Sequence, residues 1–129
     1  QMDMFKGKVE IFYNQINLSL THLDHMFDGT LEYMQANNIL PMAYSPLGSY
    51  FKEGSDKIKK VVGSLKDKYG CTDNQLLISW LLKHPSKVCP VIGTTKSDRI
   101  KKSMKSLEIE IELIDWFELL EASVGKRVP

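Results

Sequence analysis

Ile39-Leu40-Pro41-Met42-Ala43-Tyr44-Ser45-Pro46-Leu47-Gly48 is the stretch on which the reading of this chain turns. Ile39 to Tyr44 is a short apolar run of the kind buried on both faces of a parallel sheet, and the Pro46-Leu47-Gly48-Ser49 turn ends it. Such a strand needs neighbours, and the flanking sequence supplies them. Upstream, residues 9–20 open with Val9-Glu10-Ile11-Phe12-Tyr13 and continue to Leu18, dense in β-branched and aromatic side chains, which predicts a strand. A polar stretch with His22, Asp24 and His25 follows. Residues 28–37 then read as a helix with Leu31 and Met34 on one side, stopped by Asn37-Asn38.

Downstream, Ile58, Val61, Val62, Leu65 and Tyr69 predict an amphipathic helix over 55–69, with Gly70 just past its end. Thr72 followed by Gln75 is the signature of a capping box opening a second helix. Its Leu76, Leu77, Ile78, Trp80, Leu81 and Leu82 are apolar all round, so it is expected to be mostly buried until His84-Pro85 ends it. Val88 to Ile92 predicts a third strand, and Gly93-Thr94-Thr95 a tight turn. Ser97 or Asp98 is expected to cap a basic helix carrying Arg99, Lys101, Lys102 and Lys105. A last helix over 111–122 carries Ile114, Trp116, Phe117, Leu119 and Leu120.

Strands separated by helices imply parallel pairing through βαβ crossovers, an α/β fold. Three strands are too few to close on themselves, and a (β/α)8 barrel needs ~250 residues, roughly twice the 129 present. The element order therefore fits either the C-terminal half of such a barrel or a small open sheet. No repeat or linker divides the chain, so residues 1–129 read as one incomplete domain.

Composition narrows the class of function. With 43% hydrophobic and 26% charged residues the chain has material for a core. A net charge of +1 lacks the basic footprint of a nucleic-acid binder. No apolar run approaches the ~18 residues of a membrane span. The opening Gln1-Met2-Asp3-Met4-Phe5-Lys6 lacks the order of a signal peptide, and its first residue is not an initiator methionine, as expected of a fragment or processed product. Cys71 and Cys89, without CxxC spacing, suit a reducing cytoplasm and structural roles. The six methionines are expected to fill the core. His22-Leu23-Asp24-His25 offers two imidazoles and a carboxylate, short of the ligands a zinc site needs, so no metal is expected.

Three stretches carry a more specific signal. Tyr13-Asn14-Gln15-Ile16-Asn17-Leu18-Ser19-Leu20 resembles the sixth barrel strand of the aldo-keto reductases, with its characteristic Asn-Gln pair. The Ile39–Gly48 stretch is similar to that family's seventh strand and loop. Val91-Ile92-Gly93-Thr94-Thr95-Lys96-Ser97-Asp98-Arg99-Ile100 resembles its eighth strand, loop and helix start. The ending, Trp116 to Ala122 and Gly125 to Pro129, is similar to the family's C-terminus, most of all in its bacterial oxidoreductase-type subgroup, and Gln1 to Lys6 to the middle of its fifth helix. The resemblance runs in register from about residue 9 to 129.

It implies an NADP(H)-dependent oxidoreductase that reduces a small-molecule carbonyl substrate by hydride transfer, with the catalytic Asp, Tyr, Lys and His all in the half that precedes these residues. None of the four is carried here, and His22, His25 and Tyr44 do not stand in for them. Gln15 would hydrogen-bond the nicotinamide carboxamide, whose donor and acceptor its own amide matches. Tyr44 would stack on the nicotinamide face, and Ser45, Pro46, Leu47 and Gly48 would line the pyrophosphate. Gly93, Thr94 and Thr95 precede a helix start suited to an anion, and Arg99 matches the family's arginine for the adenosine 2′-phosphate, which favours NADPH. The chain departs from the family where Gly93 replaces a common Lys and Ser103 a common adenine-binding Asn. The bland alternatives are a core tyrosine, a satisfied barrel glutamine and a solvated basic face around Arg99. A rival for the whole chain is a non-enzymatic half-barrel that forms a homo-oligomer through its exposed edges, with at most residual dinucleotide binding.

Overall fold

The computed structural model describes residues 1–129. Three parallel strands form one sheet in the order β1 (Tyr13–Asn17), β2 (Leu40–Tyr44), β3 (Cys89–Pro90). Gln15 is in register with Met42 and Asn17 with Tyr44, while Met42 also faces Cys89. The strands share a direction, so their C-terminal ends, and the loops leaving them, lie along one edge. Between them run α1 (Asp24–Phe27), α2 (Thr30–Ala36), α3 (Asp56–Tyr69) and α4 (Asp73–Leu82), followed by α5 (Ser97–Met104) and α6 (Leu113–Val124).

The strand pattern separates the two faces of the sheet. Ile16, Pro41 and Ala43 are buried against the helices, while Tyr13, Gln15, Leu40, Tyr44 and Cys89 on the other face are exposed. Helices thus cover one side only, as on the outside of a (β/α)8 barrel, and the open side corresponds to a barrel's interior. One core of 21 buried residues joins Ile16 and Leu18 to Leu31, Met34, Val62, Leu76, Trp80 and Leu119.

Local signals explain most helix ends. Thr72 Oγ1 accepts from Gln75 N at 3.3 Å and Gln75 Oε1 from Thr72 N at 3.0 Å, the expected reciprocal cap of α4. Gly70 closes α3 in the left-handed region at φ 60°. Gln75 to Leu81 are buried without interruption, the continuous burial that an all-round apolar helix needs.

Several expectations are corrected. The first strand shrinks from 9–20 to Tyr13–Asn17, because Ser19 and His22 pair with each other in a tight turn. Met2–Phe5 form a 3-10 turn, not part of an α-helix, with Met4 and Phe5 exposed. The N-cap position of α5 falls on Lys96, which makes no side-chain cap, in place of Ser97 or Asp98, and α6 starts two residues late, leaving Ile111 as a buried lead-in. Met4 and Met104 lie outside the core, and Cys89 is exposed on the open face.

A polar network joins α3 to α6. Asp115, buried at the start of α6, accepts from Lys68 Nζ at 2.8 Å and from the Tyr69 hydroxyl, which in turn accepts from Glu112 N at 2.8 Å. These donors hold the Asp115 carboxyl below its ordinary 3.8. A lowered folded pKa means the unfolded state takes up the proton first. The stabilisation is therefore complete above the ordinary value and lost as pH falls through the lower folded one. Urea unfolding midpoints measured from pH 6 to about 2 are expected to drop with acid. Asp115→Asn should start lower and lose part of that slope, and an unchanged slope would show the pair contributes nothing.

Candidate functional site

The loops leaving β2 and β3 face each other across a cleft of about 710 Å³ at the C-terminal edge of the sheet, within the ~300–1,000 Å³ of small-ligand sites. One wall is Ser45-Pro46-Leu47-Gly48. The other is Ile92-Gly93-Thr94 together with Arg99, Lys102 and Ser103, and Asn74, Gln75 and Ile78 of α4 form the floor between them.

The first wall is a strained turn held from both sides. Ser45 follows the strand at φ 52°, in the left-handed region that a residue with a Cβ enters only at a cost, and Pro46 directly after it restricts the turn further. Gly48 has φ 52° as well and lies against the turn that leaves β1. A Cβ there would come closer than 3.0 Å to Thr21 Oγ1 and Ser19 Oγ. Thr21 Oγ1 also accepts from Ser49 N at 2.9 Å. On the far side, buried Tyr50 donates its hydroxyl to Asp73 Oδ2 at 2.8 Å, and Lys66 Nζ lies 3.0 Å from the other carboxylate oxygen. Burial works against the Asp73 charge, but the Tyr50 hydroxyl and Lys66 outweigh it and leave the carboxyl below its usual range. Burial, with Asp73 adding to it, pushes the Tyr50 phenol up, so it stays a donor. Strain kept in place by such over-determined contacts is a mark of functional turns.

The second wall ends in the start of α5. Thr94 Oγ1 accepts from Lys96 N at 3.2 Å, turning the chain into the helix, and Lys96 supplies no side-chain cap to the first-turn N–H groups. Those groups, the helix dipole and the guanidinium of Arg99 are placed to meet an anion. Lys102 adds a second cation on the same side.

Eight of the expected site residues meet in this one cleft: Ser45, Pro46, Leu47, Gly48, Gly93, Thr94, Arg99 and Ser103. Gln15 and Tyr44 lie outside it, on the open face of the sheet, where Gln15 is opposite Met42 and Tyr44 two positions further along β2. Thr95 is exposed in the turn after Thr94, beyond the lining. Asn74, Gln75, Ile78 and Lys102 had not been singled out as site residues. The capping box and the apolar character of α4 hinted at the first three and the basic run of α5 at Lys102, and none of these says what lies above the helix.

The remaining candidates do not converge. His22 Nε2 is 3.7 Å from Asp24, whereas His25 Nδ1 contacts Asp28 at 2.9 Å and Thr30 at 3.3 Å, and no group of three metal-ligating side chains stands together. Burial pushes the Cys71 thiol up, away from the reactive thiolate. No helix is long and apolar enough to cross a membrane.

Parallel βα units with a cation-bearing cleft at the strands' C-terminal ends define a segment of an α/β barrel. The chain belongs to the aldo/keto reductase family, whose profile matches residues 1–122. It is 35% identical over 117 residues to the 6-dehydroglucose reductase of Agrobacterium fabrum strain C58, covering 89% of this chain and 39% of that protein. Among solved structures, a thermostable aldo-keto reductase bound to the inhibitor epalrestat matches with a TM-score of 0.82 at 24% identity, over 94% of this chain and 43% of its own. An aldo-keto reductase from Klebsiella pneumoniae in complex with NADPH matches with a TM-score of 0.72 at 22% identity, over 83% and 37%. The chain thus spans about two-fifths of the curated relatives it matches, and its fold is part of the barrel those structures share.

Proposed function

We propose that these 129 residues are the C-terminal half of an NADP(H)-dependent aldo-keto reductase, acting in a reducing cytoplasm on a small carbonyl substrate. The observation that carries this reading is the single cleft joining Ser45–Gly48 to Gly93, Thr94, Arg99 and Ser103. Its features suit a phosphorylated dinucleotide. Gly48 allows backbone to approach a pyrophosphate where a Cβ has no room, and the start of α5 offers N–H groups beside a guanidinium. The NADPH held by the Klebsiella pneumoniae neighbour agrees with that chemistry.

When bound, the cofactor supplies the hydride. This chain's residues hold and orient it. Ser45, Pro46, Leu47 and Gly48 line the pyrophosphate, and Gly93, Thr94 and Thr95 guide the chain to the anion-binding helix start. Arg99 receives the 2′-phosphate as a bidentate fork, with Ser103 near the adenine in place of an asparagine. Gln15 and Tyr44, on the open face beyond the pyrophosphate loop, take the carboxamide and the flat face of the nicotinamide. Proton transfer belongs to an Asp, Tyr, Lys and His outside this stretch, and no complete acid–base set lies within it.

Cofactor fluorescence titration tests this. NADPH should bind, and Arg99→Ala should weaken it by about 10- to 100-fold, the loss of a charge-assisted pair, while NADH affinity hardly changes. Equal weakening of both cofactors, or no binding to the parent, would remove the reading.

The open face favours a second reading. Tyr13 at 63%, Leu40 at 39% and Tyr44 at 43% exposure, beside unpaired edges on β1 and β3, require a cover. In the first reading the other barrel strands provide it. In the second, a further copy does, as a non-enzymatic homo-oligomer. Sedimentation of the purified chain decides, since a well-folded monomer excludes the second reading.

A further inference from the structure

We infer that Gln75 is a positioning residue for the anion-binding helix: its side-chain amide fastens α5 to α4 and so fixes where Arg99 stands over the cleft. The inference rests on the cofactor reading given above.

Hydrophobic packing does little to place α5. None of its residues from Ser97 to Met104 is buried, and Ile100 and Met104 are exposed. With no fully buried side chain to anchor it, this helix depends on its polar contacts for a defined position. Two such contacts come from α4. Gln75 Nε2 donates to the Lys102 carbonyl at 2.8 Å, and Ser79 Oγ lies 2.8 Å from the Ser106 carbonyl. The donors are four residues apart on α4, and the acceptors four apart at the end of α5 and the 3-10 turn after it. One turn of α4 is thereby laced to one turn of the next segment. Both carbonyls also accept a backbone N–H that closes their own turn, and a carbonyl's second lone pair is left for the donor from α4.

The two bonds are unequal. Ser79 has one hydroxyl proton, and its oxygen also lies 2.7 Å from the Gln75 carbonyl, so that proton is divided. Gln75 has no such conflict. Its Oε1 is committed to Thr72 N and its Nε2 is left for Lys102, with the side chain buried. Lys102 lies three residues beyond Arg99, on the same stretch of helix, and both face the cleft. A guanidinium fork reads a phosphate only from a defined direction, so moving the helix degrades that contact first.

Gln75→Glu separates the two functions of the amide. It keeps an acceptor for Thr72 N, and with it the capping box, but turns an oxygen toward the Lys102 carbonyl where a donor had been. Two readouts are taken on the full chain: amide hydrogen exchange, and the NADPH and NADH dissociation constants. Exchange across 97–104 should accelerate while α3 and α4 keep their protection. NADPH affinity should fall about five- to tenfold with NADH affinity nearly constant. Trp80→Phe, which loosens the core away from the cleft and leaves the tie, should lower the melting temperature without moving the NADPH-to-NADH ratio.

Unchanged exchange in Gln75→Glu, an unchanged ratio, or an equal shift of the ratio in Trp80→Phe would each overturn the role. Failure of the parent chain to bind NADPH is a different result, which removes the cofactor reading itself and this role with it.

Discussion

Trp80→Ala should destabilise the chain by about 3–5 kcal/mol, a large part of the ~5–15 kcal/mol that holds a typical domain together. Trp80 of α4 is fully buried and stacks on Trp116 of α6, with ring centroids 5.1 Å apart and planes 10° from parallel. The indoles are also joined reciprocally: Trp80 Nε1 donates to the Trp116 carbonyl at 3.0 Å, and Trp116 Nε1 to the Trp80 carbonyl at 2.9 Å. Truncation leaves a cavity that rigid neighbours cannot fill, and it removes the donor serving the Trp116 carbonyl. Trp80→Phe keeps a six-membered aromatic ring but loses the donor and part of the ring volume, so its cost should be smaller than that of alanine, about 1–3 kcal/mol. Equilibrium urea unfolding measures both, with Trp116 as the remaining fluorophore, since the chain has two tryptophans. An unaltered midpoint in Trp80→Ala would show that the pair does not hold α4 to α6.

Gly48→Ala is expected to cost about 2–4 kcal/mol, the sum of forcing a Cβ into the left-handed region and overpacking a filled contact. The new methyl would meet Thr21 Oγ1 and Ser19 Oγ, and Thr21 Oγ1 is the acceptor that holds Ser49 N. Neither oxygen can retreat freely, because Ser19 is buried and its Oγ contacts Thr21 Oγ1 at 3.2 Å. The Ser45–Gly48 wall of the cleft must therefore shift, and on the proposed cofactor reading NADPH binding should fall with stability. Gly54→Ala is the matched comparison. Its φ of 92° carries the backbone penalty, but nothing lies within 4 Å of the added carbon. A thermal shift for Gly48→Ala no larger than that for Gly54→Ala would mean that the contact with the β1 turn is soft.

The parts of the fold that were legible in the sequence are those set by short-range periodicity and chirality. Apolar spacing at Ile58, Val62 and Leu65 marked the face that α3 buries, Gly70 its end, and Thr72 with Gln75 the start of α4. The chain beyond Ser45 was legible as a turn because proline and glycine restrict backbone wherever they occur. Much of the candidate cleft followed, since the loops after parallel strands must emerge on one edge. The ends of β1 and α5 were less legible. Ser19 could pair onward along a strand or back to His22, and only the surrounding contacts choose between those options.

By itself, then, the sequence determined the order of strands and helices, their parallel pairing, the family and the loops that carry the cleft. The elements depend on residues close together in the chain, whose preferences act before any tertiary contact forms, and the parallel pairing follows from the helices that separate the strands. Only the tertiary structure decided that α4 floors the cleft, that Trp80 and Trp116 exchange indole hydrogen bonds, and that Gln75 reaches the Lys102 carbonyl. Each of those depends on how two elements are rotated and stacked. That arrangement minimises the buried void and unpaired polar groups of the whole core, so no local stretch of sequence contains it.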